Sequence, residues 1–196
     1  MIYKQNKLFI DKISVEKLAK KFNTPLYCYS HQKLNENILN IKKNFKKIDP
    51  LICFAVKSNS NIKILKEIKK YNIGADVVSI GELMKALKAG IKPQKIVFSG
   101  VGKTKTEIEY AIKKKILLIN AESKSEILEI EKISKNLKKI ANIGIRLNPN
   151  TDAKTLSQIS TGKKENKFGV NSKMFLKLVN FCKNSKYIEL KCLSVH

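Results

Sequence analysis

Four side chains in this sequence of 196 residues have the chemistry of a reactive or binding site: Lys57, Asp76, Arg146 and His196. Lys57 directly follows the apolar run at residues 51–56. An amine at the end of a buried strand is the group that Schiff-base chemistry with a carbonyl compound needs. The alternative interpretation is that Lys57 is one lysine among many that happens to follow a strand.

Asp76 and Arg146 each lie inside an apolar run, where a charged side chain needs a partner. The chain has 40 lysines and arginines, and Arg146 is the only arginine, which leaves 39 lysines. An arginine in so lysine-rich a chain suggests a task for the planar guanidinium that lysine cannot perform. We therefore expect Asp76 and Arg146 to form a buried pair beside Lys57, either as part of a site or as a purely structural ion pair.

His196 stands at the end of the strand-like run 190–195, where it could act as a base, bind a ligand or simply fill a place in the core. His31 is the only other histidine, and the four cysteines show no CxxC spacing. Such scattered residues do not match the ligand spacing of a zinc site. We therefore expect no metal site, and reduced thiols of the kind usual in cytosolic proteins.

These side chains need elements to position them, and the sequence predicts alternating strands and helices. Strand-like apolar runs recur six times, and stretches with apolar residues three or four positions apart lie between them. Such alternation predicts βαβ units and a parallel sheet. The predicted strands are residues 51–56, 75–79, 96–100, 116–120, 143–148 and 190–196.

Three signals predict where helices begin and end. Ser30 has the setting of a helix start, and Ser123 with Glu126 has that of a start with a capping box. Gly90, followed by Pro93, is typical of a helix end.

Two architectures fit the alternation: an open doubly wound sheet and a closed (β/α)8 barrel of the TIM type. No GxGxxG or phosphate-binding loop follows the first strand, which weakens the first of these. Polar side chains instead stand at the ends of all six strands, as they do at the mouth of a barrel enzyme. Because eight βα units need about 250 residues, we expect an α/β fold with six of the eight strands of an incomplete barrel.

We expect residues 1–30 to form a lead-in segment and residues 31–196 to form the partial barrel, truncated at its C-terminal end. The stretch 151–169 shows neither helical nor strand periodicity. A long irregular loop inside a regular α/β domain is often functional.

The formal net charge of +24 invites a nucleic-acid interpretation. The lysines are spread along the whole chain, however, and no basic-plus-aromatic motif accompanies them. We therefore expect a lysine-rich solvated surface and no specific nucleic-acid partner. The longest uninterrupted apolar run has six residues, far short of a membrane span, and the N-terminus lacks the apolar core of a signal peptide. We expect a soluble, cytoplasmic protein without a membrane partner.

Several short motifs, in order, resemble those of the diaminopimelate decarboxylases, a family with an alanine-racemase-like barrel that uses pyridoxal 5′-phosphate (PLP). FAVKSN at 54–59 is similar to the motif whose lysine carries PLP. ISTGKKENKFGV at 159–170 resembles a stretch typical of the diaminopimelate branch. The other matching segments are TPLYCY at 24–29, GADVVSIGEL at 74–83, FSGVGK at 98–103, NAES at 120–123 and RLNP at 146–149.

The resemblance implies roles for the four candidate residues. Lys57 would hold PLP covalently, His196 would stack on the cofactor ring, and Asp76 and Arg146 would lie near the lysine and the cofactor. The implied reaction is the decarboxylation of meso-2,6-diaminopimelate to L-lysine and CO2, the last step of lysine biosynthesis, with PLP as the electron sink.

By the same resemblance, the glycine-rich phosphate site, the acidic partner of the pyridine nitrogen and a catalytic cysteine lie beyond His196, with most of a C-terminal β-domain. That cysteine comes from the second subunit in the family, so we expect an active homodimer and an inactive 196-residue fragment. Two alternatives stay open: a related barrel decarboxylase that acts on ornithine, arginine or carboxynorspermidine, and a non-catalytic basic binding protein.

Overall fold

The computed structural model describes residues 1–151 and 168–196, which form two compact units, Met1–Pro50 and Leu51–His196. In the first unit, three short antiparallel strands precede two helices. These elements are β1 (Ile2–Lys4), β2 (Lys7–Ile10), β3 (Ile13–Ser14), α1 (Val15–Phe22) and α2 (His31–Asn44). The sequence did not predict these three strands because they are short, largely exposed and contain no long apolar run.

The second unit is a six-stranded parallel sheet with helices between its strands. In chain order its elements are β4 (Cys53–Ala55), α3 (Ile62–Lys70), β5 (Gly74–Val77), α4 (Ile80–Lys88), β6 (Ile96–Phe98), α5 (Lys105–Lys114), β7 (Leu118–Ala121), α6 (Lys124–Leu137), β8 (Ala141–Arg146), α7 (Ser172–Asn184) and β9 (Ile188–Ser194). The predicted alternation is confirmed, and each of the six predicted strands lies within about two residues of an observed strand at either end.

The strand order decides between the two predicted architectures. A doubly wound sheet reverses its strand order at a switch point, whereas a barrel adds each strand beside the previous one. Here every strand pairs in parallel with the next strand of the chain, in the order β4-β5-β6-β7-β8-β9. The prediction of six strands of a barrel is therefore confirmed.

The core of the second unit lies between the sheet and the helices. Helix α6 buries an apolar stripe of Ile127, Ile130 and Ile133, as an amphipathic helix packed on a sheet does. The strands contribute side chains that are fully buried, among them Ile96, Phe98, Ile119, Ile143 and Ile145. This close packing fixes the carboxyl ends of the strands relative to one another.

Two of the predicted helix boundaries are confirmed. The hydroxyl of Ser30 accepts the N–H of Lys33 at 2.9 Å and caps α2. Gly90 follows the end of α4 with a φ of +86°, and its N–H bonds back to the carbonyl of Leu87 at 2.9 Å. A left-handed residue in this place favours glycine.

Of the two hydrogen bonds of the capping box predicted at Ser123, one is confirmed and the other is wrong. Ser123 Oγ accepts the N–H of Glu126 at 3.1 Å, as predicted, but Glu126 Oε2 accepts the N–H of Glu122 and not that of Ser123. The other oxygen of Glu126 binds Lys103, which draws the carboxylate away from its own helix start. A complete capping box occurs instead at the start of α5, where the sequence analysis did not predict one.

Within residues 1–151 and 168–196, no helix is long and apolar enough to cross a membrane. In the same part of the chain, no group of three or more histidine, cysteine, aspartate or glutamate side chains could hold a metal ion. Of the irregular stretch predicted at 151–169, residues 152–167 lie outside the described residues. The predicted domain boundary between residues 30 and 31 stays a prediction.

Candidate active site

A cleft of about 460 Å³ opens at the carboxyl ends of the strands in the second unit, and all four candidate residues line it. A cavity of this size is typical of sites for small molecules. The cleft brings together residues from the ends of β4, β5, β8 and β9, as a barrel mouth does. Its lining residues are Cys53, Lys57, Asp76, Val78, Val97, Ser99, Gly100, Asn120, Arg146, Phe168, Ser194, Val195 and His196.

Lys57 lies in a short 3-10 turn, Val56–Ser58, directly after β4. Val56 is fully buried and anchors the turn, while the Lys57 side chain is exposed. The hydroxyl of Ser58 donates to the carbonyl of Ala55 at 2.8 Å and closes the turn. Among the described residues, no carboxylate lies within ion-pair distance of the Lys57 amine. The local structure therefore presents the amine to the cleft on a fixed backbone.

Asp76 lies within β5, beside Ala55 of β4 and Val97 of β6. Its Oδ1 atom is buried and has no hydrogen-bond partner among the described residues. Buried polar atoms almost always have a partner, because an unsatisfied one costs folding free energy. This carboxylate oxygen therefore marks a place in the cleft where a donor from a ligand or a water molecule is expected.

The predicted pair between Asp76 and Arg146 is wrong, since Arg146 pairs with Glu122. Its Nη1 atom lies 3.2 Å from Oε1 and 3.1 Å from Oε2 of that glutamate. The two side chains are 11% and 1% exposed. The physical reason is strand order: Arg146 ends β8 and Glu122 follows the adjacent β7, whereas Asp76 is three strands away, on the order of 14 Å across the sheet.

A second buried ion pair adjoins the first. Lys103 Nζ lies 2.7 Å from Glu126 Oε1, with side chains 2% and 11% exposed. The two pairs are joined because the N–H of Glu122 donates to Glu126 Oε2 at 2.9 Å. We call Lys103, Glu122, Glu126 and Arg146 the ion-pair network.

The ion-pair network also holds the backbone of the cleft wall. Lys103 Nζ donates to the carbonyls of Gly100 at 2.5 Å and Asn120 at 2.9 Å. The N–H of Gly100 donates to Glu122 Oε1 at 3.1 Å. The side chain of Asn120 accepts a hydrogen bond from the hydroxyl of Ser194 at 2.8 Å, which extends the connection to β9. Four strand ends are thus tied together.

Sequence reasoning missed three members of this network: Lys103, Glu122 and Glu126. The available signal was composition, since the chain has only 16 acidic residues and Glu122 stands directly after an apolar strand. Lys103 ends the FSGVGK motif at 98–103, but as one of many lysines it was not singled out as a site residue. Its burial depends on the positions of the β6 and β7 ends, which the sequence alone does not reveal.

Gly169 brings the chain back against Arg146 after the undescribed residues. Its φ is +80°, and a Cβ atom there would lie 2.9 Å from the carbonyl oxygen of Arg146, so a side chain has no room. Next to it, Val170 exchanges backbone hydrogen bonds with Arg146 and Asn148 at 2.9 and 2.8 Å. Phe168 packs its ring centroid 5.3 Å from the guanidinium carbon of Arg146. Most of the motif at 159–170, including residues 160–167, lies outside the described residues.

Cys53 lines the cleft, but its environment disfavours the thiolate. Burial, and to a smaller extent the negative charge of Asp76, raise the pKa of the Cys53 thiol to about 11. A thiol with so high a pKa is a poor nucleophile at neutral pH. His196 follows β9, the edge strand farthest from β4 in the strand order, and it is exposed. Lys57 carries the lysine amine among the residues that line the described cleft.

Comparison with known proteins identifies the relatives of the chain. The family described as pyridoxal-dependent decarboxylase, pyridoxal binding domain, matches residues 31–196. The diaminopimelate decarboxylase of Helicobacter pylori (strain J99) is 51% identical over 181 residues, which cover 92% of this chain and 44% of the relative. That of Aquifex aeolicus is 41% identical over 194 residues, covering 99% of this chain and 45% of the relative.

Solved structures give the same result. The crystal structure of diaminopimelate decarboxylase from Helicobacter pylori complexed with L-lysine has a TM-score of 0.90 and 49% identity, and the match covers 92% of this chain and 46% of that one. The crystal structure of diaminopimelate decarboxylase from M. jannaschii in co-complex with L-lysine has a TM-score of 0.91 and 35% identity, and the match covers 98% of this chain and 46% of that one. The chain spans less than half the length of the relatives it matches.

Proposed function

The chain belongs to the pyridoxal-dependent decarboxylase family, as its pyridoxal-binding domain, and from this premise we propose that the complete protein is a PLP-dependent diaminopimelate decarboxylase. It would convert meso-2,6-diaminopimelate to L-lysine and CO2. The observation that carries the proposal is the cleft, whose wall combines an exposed lysine amine, an arginine and a carboxylate oxygen that has no hydrogen-bond partner in the described part of the chain.

The residues of the cleft fit PLP in reactivity and in charge. Lys57 would attach the cofactor covalently through Nζ, as lysines do with carbonyl compounds. Arg146 brings a positive charge toward an anionic ligand and His196 an aromatic ring, and Asp76 Oδ1 is a buried acceptor with no partner within residues 1–151 and 168–196. When bound, PLP supplies an electron sink for the electron pair that the departing carboxylate leaves behind.

Diaminopimelate is favoured over ornithine, arginine or carboxynorspermidine as the substrate. The relatives that are 41–51% identical are diaminopimelate decarboxylases, and two structures of such relatives contain L-lysine. Loss of one carboxylate from meso-diaminopimelate yields L-lysine, so the ligand in those relatives is the product expected here. A non-catalytic basic binding protein does not account for the cleft.

Family membership also supports the finer parts of the proposal. The enzyme would act as a cytoplasmic homodimer at the last step of lysine biosynthesis. Its pyridoxal-binding domain would begin near residue 31, where the family match begins.

Borohydride reduction followed by peptide mapping tests the proposal on the complete protein. We expect PLP to be trapped on Lys57, and Lys57→Ala to lose bound PLP and about 10³-fold or more in decarboxylase activity. Lys63→Ala is the matched control, since Lys63 is an exposed lysine of α3 that does not line the cleft. PLP mapped to another lysine would refute the role of Lys57. Faster decarboxylation of ornithine or arginine than of diaminopimelate would refute the substrate.

A further inference from the structure

Glu122 does not line the cleft, yet it binds two groups that do. Its side chain is 1% exposed. Oε1 accepts the N–H of Gly100 at 3.1 Å, and both oxygens contact Nη1 of Arg146. Gly100 and Arg146 both belong to the cleft wall. Water cannot easily replace such buried, charge-assisted contacts, so they hold their partners firmly.

Glu122 contacts the Arg146 guanidinium through one nitrogen, Nη1. Nη1 carries two of the five N–H groups of an arginine, and both close contacts to Glu122 are made by that atom. The N–H groups on Nε and Nη2 stay outside this ion pair. Phe168 lies against the guanidinium carbon at 5.3 Å and restricts it further. Glu122 thus orients Arg146 without using its whole donor set.

Glu122 is itself held in place by the rest of the ion-pair network. Its backbone N–H donates to Glu126, whose other oxygen pairs with Lys103. Lys103 also donates hydrogen bonds to the carbonyl of Gly100, which follows β6, and to that of Asn120 in β7. A shift of Glu122 would therefore break several buried hydrogen bonds together.

We propose that Glu122 is a positioning residue for cofactor binding, which acts by fixing the Arg146 guanidinium in the cleft wall before PLP arrives. The inference rests on the proposed function. A group that is ordered in advance loses less conformational entropy when a ligand binds. Neutralising Glu122 would release Arg146 and weaken PLP binding, although every residue of the cleft wall would remain.

PLP titration of the apo form of the complete protein tests the inference. Binding is followed by the absorbance of the bound cofactor, and the melting temperature of the apoprotein is measured alongside. We expect Glu122→Gln to weaken PLP affinity about tenfold. Glu67→Gln is the matched control, because Glu67 on α3 is 13% exposed, pairs with Lys70 at 2.6 Å and lies outside the cleft. We expect this control to change the affinity less than about twofold.

A double variant separates positioning from general destabilisation. If Glu122 acts through Arg146, the double variant Glu122→Gln with Arg146→Gln binds PLP as weakly as Arg146→Gln alone. Neither charge is then buried alone, so the double variant keeps its fold where Glu122→Gln is unstable. Wild-type affinity in Glu122→Gln, or losses that multiply in the double variant, would overturn the inference. Wild-type protein that binds no PLP on Lys57 would overturn the proposed function instead.

Discussion

The two sides of the cleft differ in whether their charged side chains have partners. On the Lys57 side, at the ends of β4 and β5, the lysine amine is exposed and Asp76 Oδ1 is buried without a partner among the described residues. On the network side, at the ends of β6, β7 and β8, the ion-pair network places four charged side chains at 1–11% exposure, each with a partner of opposite charge.

This difference teaches which side is built for a ligand. A buried polar atom without a partner costs folding free energy, and proteins retain such atoms mainly where function uses them. Groups that are fully partnered fix the backbone but have less capacity left for a ligand. We therefore assign the covalent chemistry to the Lys57 side, and to the network side the rigidity that holds Arg146 in place for the ligand, the combination that a preorganised site needs.

Removal of a cation from the network side has the largest expected effect on stability. Lys103→Met keeps the apolar stem but leaves Glu126 buried without its cation, so we expect the free energy of unfolding to fall by about 3 kcal/mol. Urea denaturation of the complete protein measures this change. Lys105→Met is the matched control, since Lys105 pairs with Glu129 at the surface and is 73% exposed, and we expect a loss below about 0.5 kcal/mol. Equal losses in the two variants would remove the contrast between the two sides.

Glu107, in the first turn of α5, is a further carboxylate with hydrogen-bond partners, since it accepts the N–H groups of Ile80 and Thr104. Burial raises the pKa of its carboxyl group, but hydrogen bonds from the N–H groups of Thr104 and Ile80 and from the Thr104 hydroxyl outweigh burial, so the pKa is lowered from 4.5. The ionised carboxylate therefore stabilises the folded state above that value, and this contribution is lost as the pH falls through the lowered pKa.

We expect Glu107→Gln to reduce the free energy of unfolding by up to about 1 kcal/mol at neutral pH, because Gln keeps the accepting oxygen but loses a charge that solvent already screens in part. The difference from the wild type shrinks as the pH falls below 4.5. Denaturation curves at neutral pH and at several acidic pH values measure it. Glu109→Gln on the same helix is the control, because Glu109 forms an exposed pair with Lys113. A difference that stays constant with pH would show that the charge of Glu107 has no part in stability.

The smallest effect on stability is expected on the Lys57 side. Asp76→Asn removes the charge of a carboxylate whose Oδ1 has no partner among the described residues, so we expect the stability of the apoprotein to change by less than about 1 kcal/mol. PLP affinity, by contrast, would fall, because the substituted side chain keeps an acceptor oxygen but loses the negative charge that strengthens a hydrogen bond from the bound ligand. Thermal melting and PLP titration separate the two quantities. A large loss of stability with unchanged PLP affinity would place Asp76 with the structural side.

Much of the second unit could be predicted from the sequence because most residues of β5 to β8 are buried, and such parallel strands appear as short apolar runs. Strand β9 alternates buried or half-buried with exposed residues, and it was predicted because it continues the alternation of strands and helices. The first unit shows the opposite case. Strands β1 to β3 are only two to four residues long and contain no fully buried residue, so they are too short to show a periodic apolar pattern.

The candidate site divides in the same way. Lys57 and His196 were found because they follow apolar runs, and Asp76 and Arg146 because they are charged residues inside such runs. The partner of Arg146 was not found, because residues 122 and 146 are 24 positions apart and meet only where β7 and β8 lie side by side.

The sequence by itself determined the six strands, their polar ends and the four candidate residues, because these depend on local periodicity and residue type. Only the tertiary structure decided that the four residues line one cleft, that Arg146 pairs with Glu122 rather than Asp76, and that Lys103 is buried among 39 lysines. The physical reason is that ion pairs and burial depend on which strand ends are neighbours in space, and that order arises only when the strands pack into the sheet.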